Sequence, residues 1–179
     1  MRNRMTAGQA RVREKEVLIM AEVKPKEKPR ELIAQVSVPY EMALGRNWHR
    51  FFESLKEEKI MGTQCRTCNR VFVPPRSFCP RCFEDNDQWV EVGQEGTIET
   101  WCYSNLMFYG QTLKPPFIAV QVHLDGTDVG FQHRIAGFDL SDFEKVRALV
   151  KFGGRVRVVW NPEKKGNIFD IDYFELVPG

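Results

Sequence analysis

The sequence predicts a mainly β protein, with helices on its N-terminal side, a small metal-bound ribbon in the middle and a five-stranded barrel after it. Three observations predict this. Four cysteines fall in two C-x-x-C pairs, Cys65/Cys68 and Cys79/Cys82, with ten residues between the pairs. Downstream, short runs of β-branched and aromatic residues recur between turn signals. Upstream, apolar residues recur at helical spacing instead.

Length and composition bound the answer. A chain of 179 residues, 42% hydrophobic and 12% aromatic, makes one domain of ordinary size or two small ones sharing a core, and argues against disorder. No apolar run approaches the roughly 20 residues that span a bilayer, and the start carries no apolar signal-peptide core. The expected compartment is the cytoplasm, with no membrane partner. In that reducing setting paired cysteines read as metal ligands and not as disulfides. Charge is uneven: residues 1–31 hold nine Lys/Arg against five Asp/Glu, and the remainder holds seventeen against nineteen. The body is therefore slightly acidic, which gives no general drive toward phosphate backbones and no expected nucleic-acid partner.

Residues 1–38 are charged and interrupted by proline (Lys24-Pro25-Lys26-Glu27-Lys28-Pro29), and read as an extended, mobile arm. Met20-Ala21-Glu22 would serve as an alternative start. Residues 39–60 read as an amphipathic helical segment. Trp48, Phe51, Phe52 and Leu55 recur at i, i+3, i+4 and i+7, Arg50, Glu53, Lys56 and Glu57 take the other face, and Asn47 is a reasonable N-cap after Gly45. Two fates are open to that stripe: packing on the chain's own core, or docking on a partner subunit.

The ribbon is expected over residues 61–92 and the barrel over 93–179. Gly96–Ser104 is rich in β-branched and aromatic residues. Phe117–Leu124 alternates, with Ile118, Val120, Val122 and Leu124 on one face, and ends at the turn signal Asp125-Gly126. Val129–Ile135 returns as a third strand. A short helix follows at about Ser141–Val150, capped by Ser141 or Asp139 and striped by Phe143, Val146 and Val150. After Gly153-Gly154, Arg155–Trp160 and Ile168–Leu176 supply two more strands around Asn161-Pro162. Five strands with one helix between the third and fourth match the order of an OB-fold barrel. The Ser104–Pro116 stretch is a long connection holding Leu106, Met107, Phe108 and Tyr109; long loops carry function more often than short ones.

Each C-x-x-C makes a tight knuckle whose thiolates converge, and two knuckles complete a tetrahedron of four sulfurs about 2.3 Å from zinc. Cys65, Cys68, Cys79 and Cys82 are thus the expected ligands of one Zn2+ ion. Asn69, just past the first pair, tolerates the left-handed backbone that lets N–H groups point at sulfur. Arg66, Arg70 and Arg81 would offset the charge of a four-thiolate centre. Four cysteines leave no place for water or substrate, so the site is structural. A rubredoxin-like iron centre uses the same ligands, and spacing alone leaves that rival open. Cys102 alternates in phase with Ile98 and Thr100 and is expected to be a buried, inert thiol. His49, His123 and His133 form no spacing pattern with one another or with an acid, and no nucleophile–base pair, phosphate loop or carboxylate pair stands out. By itself the chain does not look like an enzyme, and no catalytic residue is assigned.

One resemblance adds to this. The run from Phe52 through Leu55, then Cys65-x-x-Cys68-Asn69, Phe72-Val73-Pro74-Pro75-Arg76, Cys79-Pro80-x-Cys82, Trp89 and Gly93-x-x-Gly96-Thr97 resembles the zinc-ribbon/OB-fold family of acyl-CoA-associated proteins. Pro116-Phe117-Ile118-Ala119-Val120 and Phe152-Gly153-Gly154-Arg155-Val156 look like the same family's barrel strands. Asn69 stands where the family usually has Gly. The resemblance covers about residues 40–177. It implies a rubredoxin-like zinc ribbon ahead of an OB-fold, and a non-catalytic role beside a thiolase-fold enzyme in a hetero-oligomer. It also implies that ribbon and helices dock on that subunit while the barrel lies near the entrance for the coenzyme A thioester. Phe108 and Tyr109 are the candidate contacts to acyl-CoA or partner.

The physics fits such a partner role. A thiolase needs a cysteine nucleophile with histidine and a second cysteine on a far larger scaffold, and this chain has neither the length nor the residues. A nucleic-acid-binding zinc-ribbon/OB-fold protein is the alternative, with Trp101, Tyr103, Phe108 and Tyr109 as stacking rings. The body's acidic balance stands against it, as does the want of a basic cluster beyond Arg155 and Arg157.

Overall fold

The computed structural model describes residues 40–108 and 110–178. The arm expected at 1–38 and Tyr109 lie outside the described residues. The elements below all belong to the unit Met42–Gly179.

Helix α1, Gly45–Lys56, forms on the helical stripe. Phe51 and Leu55 are fully buried, Phe52 is half-buried, and Trp48 keeps 40% of its surface exposed while standing edge-on to Phe51 at 6.0 Å. The stripe therefore packs on the chain's own core, and only its first ring is left over. Asn47 is not the cap. Gly45 takes a left-handed φ of 68°, the chain turns into the helix there, and Leu44 becomes the N-cap with no side-chain hydrogen bond.

Strands β1 (Met61–Gln64), β2 (Val71–Phe72) and β3 (Gln88–Glu91) make an antiparallel sheet in the order β2-β1-β3. Thr63 pairs with Phe72 on one side and Trp89 on the other. Its buried hydroxyl accepts from the Arg76 N–H at 2.9 Å and donates to the Arg76 carbonyl at 3.0 Å, which ties the outer connection to the central strand.

Strands β4 (Glu95–Ser104), β5 (Phe117–Leu124), β6 (Gly130–Ile135), β7 (Arg155–Trp160) and β8 (Ile171–Leu176) close a barrel in the order β4-β5-β6-β8-β7. Closure needs one parallel contact, Ile135 to Phe174 between β6 and β8, and the pairing of β7 back on β4. This is the OB-fold. On β5, Ile118, Val120, Val122 and Leu124 all face inward, as alternation predicts. Val71, Val73, Ile60 and Val92 of the ribbon, together with Phe51 and Leu55, join the barrel residues in one continuous core. Ribbon and barrel are also tied by Asp128, whose carboxylate accepts from Val71 N–H at 2.8 Å while its own N–H donates to the Val71 carbonyl at 3.0 Å. Among the described residues no helix is long and apolar enough to cross a membrane.

Three expectations in the barrel need correction. Cys102 is exposed. A bulge between Ile98 and Thr100 inserts Glu99 into β4 and reverses the side-chain phase, so that Trp101 and Tyr103 pack on the core and Cys102 turns out. The second helix, α2, runs Phe143–Leu149 and is capped by Asp142, which accepts from Glu144 N–H at 3.0 Å and Lys145 N–H at 3.3 Å. Asp139 instead holds the Ser141 N–H, one turn too early to cap the helix. The last strand starts at Ile171 and not Ile168. The buried Asp170 carboxylate accepts the N–H groups of Lys165 and Gly166, winding residues Ile168–Asp170 into a short 3-10 turn.

The same bulge creates an acid–histidine pair that spacing did not reveal. His123 Nδ1 lies 3.0 Å from Glu99 Oε1, and Nε2 lies 2.7 Å from the Thr127 carbonyl. Both partners accept, so only the imidazolium satisfies both ring nitrogens. The Glu99 hydrogen bond is the main reason that the His123 pKa is raised above its ordinary 6.5. A raised folded-state pKa gives stability that is complete below the unfolded value and is lost as pH rises through the folded one. Between pH 6 and pH 9 the wild type should lose about 0.5 kcal/mol more than Glu99→Gln, a size set by the pair's partial exposure. Urea unfolding of both proteins at each pH checks this; identical pH slopes would rule the pair out as a stabilising element.

Candidate metal centre

The two knuckles are built alike, residue for residue. In the first, Cys65 N–H donates to the Arg70 carbonyl at 2.9 Å, Asn69 N–H donates to the Cys65 carbonyl at 2.8 Å, and Asn69 has φ 59°. In the second, Cys79 N–H donates to the Glu84 carbonyl at 2.8 Å, Phe83 N–H donates to the Cys79 carbonyl at 2.9 Å, and Phe83 has φ 59°. The fifth position of each knuckle is thus left-handed, as expected for Asn69. At Phe83 sequence reasoning missed it, because a bulky side chain there runs against steric preference. Phe83 is 81% exposed.

These loops bring the four thiols of Cys65, Cys68, Cys79 and Cys82 together, every sulfur within 4.8 Å of the others. Cys65 and Cys79 are buried and Cys68 and Cys82 half-buried, packed with Phe72 and Val129 in a small apolar cluster beside the main core. The donor set fits a tetrahedral ion. Bonds of about 2.3 Å demand sulfur–sulfur edges of about 3.8 Å, and Cys68 Sγ stands 3.7 Å from Cys79 Sγ.

The thiols' acidity points the same way. Burial alone would raise Cys79, yet the backbone N–H groups of Cys82 and Arg81, with the neighbouring Cys68 and Cys65 thiols, bring it down to about 7. Cys82 goes the other way, pushed up to about 12 by burial and then by the Cys68, Cys65 and Cys79 sulfurs. Four sulfurs this close cannot all ionise without a cation to hold the charge. Of the arginines expected to offset that charge, Arg66 is engaged by Asp87 at 2.9 Å. Zinc held here would cross-link the two knuckles and leave no coordination position for a reacting group.

Elsewhere the expected contacts are placed as follows. Phe108 is 63% exposed in the connection after β4, next to exposed Leu106 and Met107; its candidate companion Tyr109 is outside the described residues. Arg155 and Arg157, the two basic residues of β7, are both paired: Arg155 with Asp125 at 2.6 Å and Glu95 at 3.2 Å, and Arg157 with Glu175.

Comparisons with known proteins agree with this architecture. Residues 52–88 match the family model described as ChsH2, rubredoxin-like zinc ribbon domain, and residues 89–161 match ChsH2, C-terminal OB-fold domain. The zinc-ribbon match and the four-cysteine cluster together support structural zinc. No curated protein matches the chain. Among solved structures, a protein of unknown function from the DUF35 family of Sulfolobus solfataricus is similar at a TM-score of 0.52 and 22% identity, over 74% of this chain and 84% of that one. The Ltp2-ChsH2(DUF35) aldolase is similar at a TM-score of 0.54 and 17% identity, over 76% of this chain and 97% of that one. At such identities the likeness shows the fold.

Proposed function

We propose that this chain, which carries the zinc-ribbon and OB-fold domains of the ChsH2 family in tandem, is the non-catalytic subunit of an acyl-CoA complex and docks on a thiolase-fold catalytic subunit. The observation that carries the reading is a centre closed by four cysteines on a chain that leaves several large apolar side chains exposed. Phe83 and Phe78 stand out from the ribbon, and Leu106, Met107 and Phe108 from the barrel connection. A closed centre supplies rigidity and no reactivity, whereas exposed rings are what interfaces bury. The two family matches support the role, as does the pairing of ChsH2(DUF35) with Ltp2 in the aldolase of similar fold. The one histidine–acid pair described above has both ring nitrogens occupied, which leaves it no free base for catalysis. Engagement of Arg155 and Arg157 by carboxylates weighs against a nucleic-acid groove on β7.

The finer reading rests on the likeness of Pro39-Tyr40 through Gly45, and of the charged stretch before it, to the small subunit of benzoylsuccinyl-CoA thiolase in anaerobic toluene degradation. The partner would then cleave a β-ketoacyl-CoA with free CoA, and this chain would line the approach of the thioester. Purification at native expression levels tests the role: a thiolase-fold chain should accompany this one, and the isolated chain should turn over no thioester. Thioester cleavage by the isolated chain would overturn the proposal.

The connection after β4 gives a second test. Replacing Phe108 and Tyr109 with alanine should weaken the complex, or raise the KM for its acyl-CoA, by about tenfold, the scale of losing an aromatic anchor. Unchanged values of both would remove these residues from the interface.

A further inference from the structure

An open groove of about 1030 Å³ lies between the first turn of α1 and the outer loop of the ribbon. We propose that this groove receives an acidic segment of a partner polypeptide. The proposal rests on the reading that a partner subunit docks on this chain, and it adds the chemistry of the docking element.

Charge is the first ground. Arg46, Arg50 and Arg76 line the groove, and among the described residues none of them has a carboxylate partner. Arg50 lies over the Trp89 ring at 4.5 Å and Arg76 over Phe72 at 5.6 Å, so these guanidiniums are held by aromatic faces with N–H groups left for a ligand. Of the two acids in the lining, Asp87 is engaged by Arg66, and Asp85 has no basic partner among the described residues. The helix start adds to this. Among the described residues no side chain caps α1 and no acid stands in its first turn, so none of them compensates its N–H groups and the positive end of its dipole.

The second ground is independent of charge. Asn86 lines the groove and is only 4% exposed, yet among the described residues neither its side-chain nitrogen nor its oxygen has a hydrogen-bond partner. Buried amides are normally satisfied. Because this one gives up no hydrogen bond, turning it toward an incoming group is cheap. It offers one acceptor and a pair of donors, the complement of a peptide group. Exposed Trp48 and Phe78 supply apolar walls for aliphatic stems. A carboxylate on a polypeptide meets all of these features at once.

The probe is a fluorescein-labelled glutamate-rich peptide, read by anisotropy on the zinc-loaded full chain, beside a glutamine-rich peptide of the same length. The glutamate peptide should bind, and binding should weaken with salt. Arg50→Glu with Arg76→Glu should lower its affinity about tenfold or more. Lys145→Glu with Arg147→Glu, the same charge change on α2, should leave it unaltered. Asn86→Leu should lower it several-fold while zinc content holds. Equal losses from both charge-reversed pairs, or equal binding of the two peptides, would overturn the proposal. Co-purification separates the two readings. If the wild type brings down no thiolase-fold chain, the subunit role fails and the peptide data alone judge the groove. If Arg50→Glu/Arg76→Glu captures that chain as well as the wild type does, the groove reading fails and the role stands.

Discussion

Replacing Cys68 with serine is expected to strip the protein of stoichiometric zinc, lower the unfolding midpoint of the whole chain by about 10 °C and abolish partner capture. Structural zinc contributes on the order of 10 kcal/mol of apparent binding energy to the sequence that folds around it. A serine hydroxyl cannot replace the thiolate, and Cys68 is one of the four converging sulfurs, 3.7 Å from Cys79 Sγ. Treated as an isolated module, the ribbon would unfold and leave the barrel behind. The shared core changes that expectation. Ile60, Val71, Val73 and Val92 pack with barrel residues, and Asp128 ties Val71 to the hairpin after β5. Part of the loss must then reach the barrel. Roughly 4 kcal/mol reaching it would move the midpoint of a chain this size by the stated amount. Metal analysis, calorimetry and co-purification read the three effects. Normal zinc content or normal partner capture in the variant would refute the structural role of the centre.

Phe174→Ala should be the most damaging change in the barrel, at about 3–5 kcal/mol. Phe174 is fully buried, meets Phe131 edge-on at 6.2 Å and His133 at 5.9 Å, and sits at the one parallel contact that closes β6 on β8. Truncation removes the ring at the seam, where the two strands share a single registered pair. Against a total stability of about 5–15 kcal/mol, that approaches global unfolding. Phe174→Leu keeps most of the volume and should cost far less. Urea denaturation of the two variants decides it, and equal, small losses would mean that the seam does not depend on this ring.

Much of the architecture was legible because the governing signals are local. The alternation of Ile118, Val120, Val122 and Leu124 fixed a strand and its inward face, and Asp125-Gly126 fixed its end. Cys65, Cys68, Cys79 and Cys82 announced their own convergence, since a C-x-x-C knuckle is made by the chain's nearest neighbours. Trp48, Phe51, Phe52 and Leu55 marked a helix, though two fates for its stripe stayed open until Phe51 and Leu55 were seen buried. What escaped depended on single insertions and caps. One extra residue, Glu99, turned Cys102 outward and brought an acid to His123. Leu44 and Asp142 took the capping places expected of Asn47 and of Ser141 or Asp139.

The groove was not foreseen, for a different reason. Arg46, Arg50, Arg76 and Asn86 come from two segments some thirty residues apart, and none carries a motif. Periodicity and cysteine spacing, which act over a few residues, by themselves placed the ribbon, the succession of strands along the chain and the four converging cysteines. The phase of β4, the shared core of ribbon and barrel, and the juxtaposition of helix start, groove-lining guanidiniums and buried amide were decided only when distant segments packed. Burial and hydrogen-bond satisfaction are properties of the assembled surface, and no short stretch of sequence contains them.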